Sequence, residues 1–292
     1  MTAQAVQATL VRTALNGTGR IAPRLAARWS LAFWNPGIRV RLKPAEEPVM
    51  RGAARRWVEV DGVRTAVHHW GDGARPVLLM HGWASRASRF APLVEALTER
   101  GYSPVAFDAP GHGESGGRGS SILQYRALAR RLQAEHGRFA AVVGHSVGGL
   151  SAFFALRGQV AADRLVSLAS PAEFGYVVER FRARLGMAER LAPPLREAVE
   201  RRLFPGERDI WRRFSAIHRP GELPLPLLVV HDEDDDMVER SQAALLADAY
   251  APQADVLITR GLGHRGILAA PHVVEAVLDF TAATEPAAHE AP

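Results

Sequence analysis

The 292-residue chain contains no cysteine, which excludes disulfides, thiolate metal sites and a cysteine nucleophile. That absence suits a reducing compartment, and a cytoplasmic location is the expectation. No run of about 18 apolar residues occurs, so no membrane-spanning helix is expected. The first residues also lack the compact apolar segment and small-residue cleavage site of a secretory signal. Acid is missing from the start of the chain. Six arginines (Arg12, Arg20, Arg24, Arg28, Arg39, Arg41) and Lys43 precede the first carboxylate, Glu46. Without those seven, the remaining 29 basic residues face 31 acidic ones, so the body is slightly negative. This argues against a surface built for nucleic acid, and none is expected as a partner.

What is present describes a globular unit. Hydrophobic residues make up 47% and charged residues 23%, with 26 Gly and 19 Pro spread along the chain. Residues 1–50 read as a basic arm containing an amphipathic helix, "RIAPRLAARWSLAF" (20–33). Arg20, Arg24 and Arg28 recur there at helical spacing beside the stripe Ile21, Leu25, Trp29 and Phe33. Two readings follow. In one the helix packs on the body and shows its arginines to water; in the other the arm touches an anionic membrane surface or covers a substrate entrance. An Arg-rich, acid-poor start is also the composition of a transit peptide.

From residue 56 the pattern changes. "RWVEVDGVRTAVHHW" (56–70) places Asp61-Gly62 between two β-rich runs, a hairpin signal. Short apolar runs then alternate with amphipathic stretches: "VLLM" (77–80), "PVAF" (104–107), "AAVV" (140–143) and "RLVSL" (164–168), with helices expected near 88–100, 120–136 and 147–158. Such alternation predicts right-handed crossovers and a mostly parallel sheet of about eight strands, covered by helices on both faces. Residues 171–223 break the rhythm with helix-like segments and are expected to form a small helical lid over the strand ends. The sheet resumes with "PLLVV" (226–230), a helix at 239–250, "VLIT" (256–259) and a helix near 271–282. The division is thus an arm (1–50), a core (51–170 and 224–283), the lid, and a flexible tail (284–292).

The chemistry starts at "AVVGHSVGGL" (141–150), where Gly144-His145-Ser146-Val147-Gly148 stands between an apolar strand and a helix. This is G-x-S-x-G in its required context: the glycines allow a tight strand-to-helix turn that lifts Ser146 out of the sheet as a nucleophile. Serine needs a base, and the base needs an orienting acid. Among eleven histidines, His264 in "GLGHRGIL" follows the "VLIT" strand and precedes the last helix, at the same sheet edge as Ser146. His68, His69, His112 and His218 read as surface or packing residues. The acid should follow a strand between Ser146 and His264, and "VVHDEDDDMV" (229–238) is the place. The run lacks the ligand spacing of a calcium loop. Five adjacent carboxylates cannot all be buried, so Asp232, Glu233 and Asp236 are expected to face solvent.

Taken together these segments resemble the α/β-hydrolase family over nearly all of residues 56–283. "HGW" (81–83) resembles its oxyanion loop, "DAPGHGES" (108–115) the loop after the next strand, "GHSVGG" its nucleophile elbow and "GLGH" its histidine loop. The family's acid loop runs G-x-x-D-x-x-V, and the match from Asp232 to Val238 selects Asp235, with Asp232 standing where a Gly is usual and Asp234 and Asp236 the next choices. The resemblance implies an oxyanion hole formed by the backbone N–H groups of Val147 and Trp83, and a loop-holding role for His81. Relatives that use aspartate as nucleophile are disfavoured by Ser146. The implied activity is cleavage of carboxylic esters or thioesters through an acyl-enzyme, on a small molecule with an apolar acyl group and without metal or organic cofactor. Phe174, Tyr176 and Phe181 of the lid are candidates for the acyl pocket.

Overall fold

The computed structural model describes residues 3–34, 37–158 and 160–283; the expected tail, 284–292, lies outside them. The arm holds α1 (Ala3–Ile21), α2 (Pro23–Ser30) and α3 (Glu47–Arg51). The core begins with β1 (Ala54–Val60), β2 (Val63–His69), β3 (Pro76–Met80), α4 (Ala91–Glu99), β4 (Ser103–Phe107) and α5 (Ile122–His136). It continues through β5 (Ala141–His145), α6 (Val147–Leu156) and β6 (Leu165–Leu168). The lid carries α7 (Phe174–Arg184), α8 (Ala192–Leu203) and α9 (Ile210–Arg213). The chain then returns to the sheet with β7 (Leu227–Asp232), α10 (Arg240–Ala249), β8 (Ala254–Thr259), α11 (Gly263–Gly266) and α12 (Pro271–Ala282).

The eight strands form one sheet in the order β1-β2-β4-β3-β5-β6-β7-β8. β1 and β2 pair antiparallel, as do β2 and β4, and every later pair is parallel. Asp61 (φ 49°) and Gly62 (φ 71°) make the expected hairpin turn, both in the left-handed region that a two-residue connection of this hand requires. Strand alternation divides the core between two faces. Leu78 and Met80 of β3 join Tyr125, Leu128, Leu132 and Phe153 under α5 and α6. Val77 and Leu79 turn the other way, to Leu93, Leu97, Val273 and Val277 of α4 and α12. Each such buried side chain contributes about 1.5–3 kcal/mol, and because alternate side chains leave opposite faces of a strand buried on both, β3 anchors a helix layer on each side.

The arm departs from the expected single helix over 20–33. Pro23 has no N–H to continue α1 and opens α2 instead, so the chain bends at Ala22. Nor does the stripe Ile21, Leu25, Trp29 and Phe33 face the body. α2 packs through Ala26, Ala27 and Ser30, all fully buried, while the four large side chains stay exposed. The small residues allow close approach to α8, across which Arg24 pairs with Glu197 at 3.1 Å.

Sequence gave no sign of how the lid is tied down. Arg157, at the end of α6, donates to the carbonyls of Arg213 (3.1 Å), Ser215 (2.7 Å), Ala216 (2.8 Å) and His218 (2.5 Å). Burial depresses its pKa, but four carbonyl acceptors hold the guanidinium in place. Arg157→Met keeps the aliphatic stem and strands those carbonyls, so urea denaturation should show a loss of about 2–3 kcal/mol. A loss within about 0.5 kcal/mol would mean that the lid closes without this tie.

Candidate active site

A strained backbone turn lies at the end of β5. Ser146 has φ 56° and ψ −129°, a conformation costly for a residue with a side chain. It is held by its own N–H, which donates to Leu168 O at 2.9 Å, and by crowding on both sides. A Cβ on Gly148 would stand 2.1 Å from Met80 O, and one on Gly144 would stand 2.4 Å from Gly149 Cα. Neither position admits a larger residue without moving backbone, so the glycines seat the elbow against β3 and α6.

Register brings the other candidates to the same edge. Met80 pairs with Gly144, His145 with Leu168 and Leu168 with Val230, so the loops after β3, β5 and β7 leave the sheet side by side. Asp235 Oδ2 accepts from His264 Nδ1 at 2.8 Å. Its Oδ1 accepts from the N–H groups of Met237 (2.8 Å) and Val238 (2.9 Å), leaving the carboxylate fully enclosed. Burial opposes this charge, but the His264 and Val238 bonds outweigh it and hold the carboxyl below its usual range. Asp235 is therefore an acceptor only, which places the Nδ1 proton on His264 and leaves Nε2 as a base. Among the described residues Ser146 Oγ makes no hydrogen bond. Such bonds often tighten only when substrate is bound.

The acid run is not arranged as expected around Asp235. Asp232, expected to face solvent, is fully buried. Its Oδ1 accepts from Asp234 N (3.0 Å) and Gly263 N (2.9 Å), and its Oδ2 from Thr259 Oγ1 (2.7 Å) and Leu262 N (3.2 Å). These donors lower its pKa against the cost of burial. Asp232 thus ties the acid loop to the loop bearing His264, and its carboxylate has no capacity left for a cation. Asp234 reinforces the tie by accepting from Gly261 N at 2.8 Å, whereas Glu233 and exposed Asp236 face outward as expected.

Two histidines support the site without entering it. His81 donates from Nδ1 to Gly82 O (2.7 Å) and accepts at Nε2 from Ala109 N (2.9 Å), the loop-holding part expected of it. His145, the residue before Ser146, was not singled out in the sequence; it donates from Nε2 to His264 O at 2.8 Å, its ring 4.7 Å from that of His264. Burial pushes His145 down to about 3, helped by His264, and His81 down to about 4, helped by His112.

Beside Val147, the residue after Ser146, the walls are aromatic. A narrow cavity is lined by Trp34, Trp83, Val147, Leu150, Phe174 and Phe204, among others, with a free volume of ≈ 10 Å³, the room of about one water. Trp34 comes from the arm and meets Trp83 at 5.0 Å, Phe181 at 4.9 Å and Phe174 at 6.4 Å. Nothing in the sequence pointed to Trp34, which lies 112 residues from Ser146. Of the lid candidates, Phe174 lines the cavity and Phe181 backs it through Trp34. Tyr176 does not line it: its hydroxyl accepts from Glu239 N at 2.9 Å and anchors α7 to the start of α10.

Residues 77–277 match the family described as the alpha/beta hydrolase family. The chain belongs to that family. A solved esterase from Pyrococcus furiosus superposes with a TM-score of 0.61 over 83% of this chain and 95% of its own, at 19% identity, a likeness of fold. Among curated proteins, the dihydrolipoyllysine-residue acetyltransferase component of the acetoin cleaving system of Cupriavidus necator is 36% identical over 134 residues. That match covers 43% of this chain and 34% of the relative. A non-heme haloperoxidase of Rhodococcus erythropolis is 37% identical over 92 residues, 30% of this chain and 33% of the relative. The matched stretches thus span about a third of the length of these curated relatives. Among the described residues of this family member, no helix is long and apolar enough to cross a membrane, and no three His, Asp or Glu side chains converge as metal ligands.

The buried histidines make stability pH-dependent. Unfolded, each takes up a proton below about pH 6.5, whereas folded His81 and His145 stay neutral until about 4 and about 3. The unfolded chain therefore binds more protons as pH falls from 6.5, and each histidine removes up to about 1.4 kcal/mol of stability per pH unit. Asp108 and Asp235, with lowered pKa values, add stability that is present above about pH 3.9 and lost only as pH falls through their folded values, below that window. Urea denaturation of His145→Gln between pH 6.5 and 5 should show a slope shallower by about one proton. An unchanged slope would mean that His145 takes up its proton in the folded state.

Proposed function

We propose that this α/β hydrolase cleaves carboxylic esters or thioesters through an acyl-enzyme. The supporting observation is the enclosed Asp235–His264 pair at 2.8 Å, set at the same sheet edge as a strained, half-buried Ser146. Ser146 Oγ attacks the acyl carbonyl while His264 Nε2 takes the hydroxyl proton, and Asp235 orients the ring and balances its charge. The N–H groups of Val147 and Trp83 donate to the oxyanion; neither is engaged by another acceptor among the described residues. Collapse of the adduct breaks the bond to the alcohol or thiol, which leaves with the proton from His264. Water then attacks the acyl-serine, His264 again takes and returns one proton, and carboxylic acid departs with Ser146 restored.

The aromatic cavity favours an apolar acyl chain over a charged one. Its small volume requires Trp34 or α7 to move as that chain enters.

Labelling by a fluorophosphonate probe and hydrolysis of p-nitrophenyl esters test this reading. Ser146→Ala should abolish labelling and lower kcat by about three to six orders of magnitude. Asp235→Asn should lower kcat by about 10⁴, since it favours the wrong His264 tautomer, whereas Asp234→Asn should change kcat less than about tenfold. Full activity in Ser146→Ala would overturn the mechanism; an unlabelled, inactive wild-type protein would point to a ligand-binding protein on the same fold.

A further inference from the structure

The surface of this protein is uneven in where it leaves apolar side chains to water. Among the described residues nine large hydrophobic side chains are exposed, and six belong to α1, α2 or the turn after them: Val6, Leu10, Ile21, Leu25, Trp29 and Phe33. Their spacing is helical. Val6 and Leu10 are one turn apart, Ile21 follows about three turns later on the same face, and Leu25 and Trp29 repeat the step on α2. The opposite faces carry the packing: Leu15 is buried, a Cβ on Gly19 would stand 2.7 Å from Leu191, and α2 rests on Ala26, Ala27 and Ser30. α1 thus seats on the body through Leu15 and Gly19 and α2 through small residues alone, while both leave a row of large apolar side chains to solvent, unlike an ordinary surface helix.

Charge accompanies this face. Exposed Arg20 and Arg28 make no ion pair among the described residues, and the Arg24 side chain is 83% exposed beside Glu197. Residues 1–50 hold seven basic and two acidic side chains, and the lid against which α2 packs holds eleven arginines and eight acids. These segments therefore carry net charges of +5 and +3 in a protein of net +5, so the remainder is −3. An apolar stripe edged by arginine, on segments of net positive charge, fits an interface that is apolar inside and anionic outside.

We propose that α1 and α2 form a docking surface for an anionic lipid bilayer. Val6, Leu10, Ile21, Leu25, Trp29 and Phe33 enter the boundary between headgroups and acyl chains, and Arg20, Arg24 and Arg28 meet the phosphates. Phe33 is exposed next to Trp34, which walls the aromatic cavity, so docking here brings the Trp34 wall of that cavity to the bilayer. Given the esterase reading, the acyl substrate is drawn from the membrane; the docking itself does not depend on that reading.

Co-sedimentation of the full chain with phosphatidylcholine vesicles, with and without phosphatidylglycerol, tests the surface. Binding should require phosphatidylglycerol and weaken as salt rises. Leu25→Ser with Trp29→Ser should weaken binding by about a hundredfold, and Arg20→Ser with Arg28→Ser by about tenfold. Neither pair touches the Ser146 site, so p-nitrophenyl acetate hydrolysis in solution and Tm should stay as in wild type. Equal binding to both vesicle types, or unchanged binding by both variants, would overturn the proposal. So would a wild-type dimer in light scattering that Leu25→Ser with Trp29→Ser converts to monomer without altering vesicle binding, because a second copy would then cover the face. Vesicle binding by a protein with no esterase activity would overturn the proposed function and leave the docking surface standing.

Discussion

Everything at the site depends on one close approach of backbone. Gly148 lies so near the end of β3 that a single added carbon would reach within 2.1 Å of Met80 O, and Gly144 is equally constrained against Gly149. This crowding lets Ser146 keep a φ of 56° and lifts its hydroxyl above the sheet. The two flanking parallel strands fix the elbow's height, and that height decides which loops can reach it. Strain at Ser146 is stored locally and offset by the surrounding packing.

Buried carboxylates organise the loops around this elbow. Asp108 accepts from Ala87 N and Glu114 N, both at 2.8 Å, joining the loop after β3 to the loop after β4. Asp232 plays the same part between the loops after β7 and β8. In each case backbone N–H groups supply the donors that a buried charge needs, so irregular chain gains definite geometry without a strand or helix. Asp235 differs in having the candidate base, His264, as one of its partners. His145 closes the circuit by donating to the His264 carbonyl from beneath.

The arm and lid form a second layer with a different economy of apolar surface. Trp34 is placed against Trp83, Phe174 and Phe181 by α2, whose inward face is reduced to alanine and serine. Close packing of small residues seats the helix, and the large residues are left free for another medium. Arg157 fixes the far end of the lid through four carbonyls, so the aromatic roof is held at both ends.

Sequence alone determined the elements and the order of the chemical groups. Short continuous apolar runs separated by helical ones specify a parallel sheet, Asp61-Gly62 specifies the hairpin, and a Gly-x-Ser-x-Gly turn between strand and helix specifies Ser146. Local sterics and local hydrogen bonds decide these features, so they are legible within about ten residues. His264 and the acid run followed from chain order, and Asp235 from a resemblance in register. Only the tertiary structure decided which carboxylates turn inward: Asp232 is buried because the end of β8 and the loop after it bring three of its four donors, from 27 to 31 residues away. The same holds for Trp34, His145 and Arg157, whose partners lie 49 to 147 residues away, and for the outward face of α1 and α2. An amphipathic pattern states that a helix has two faces; the shape of the surface it meets decides which one is buried.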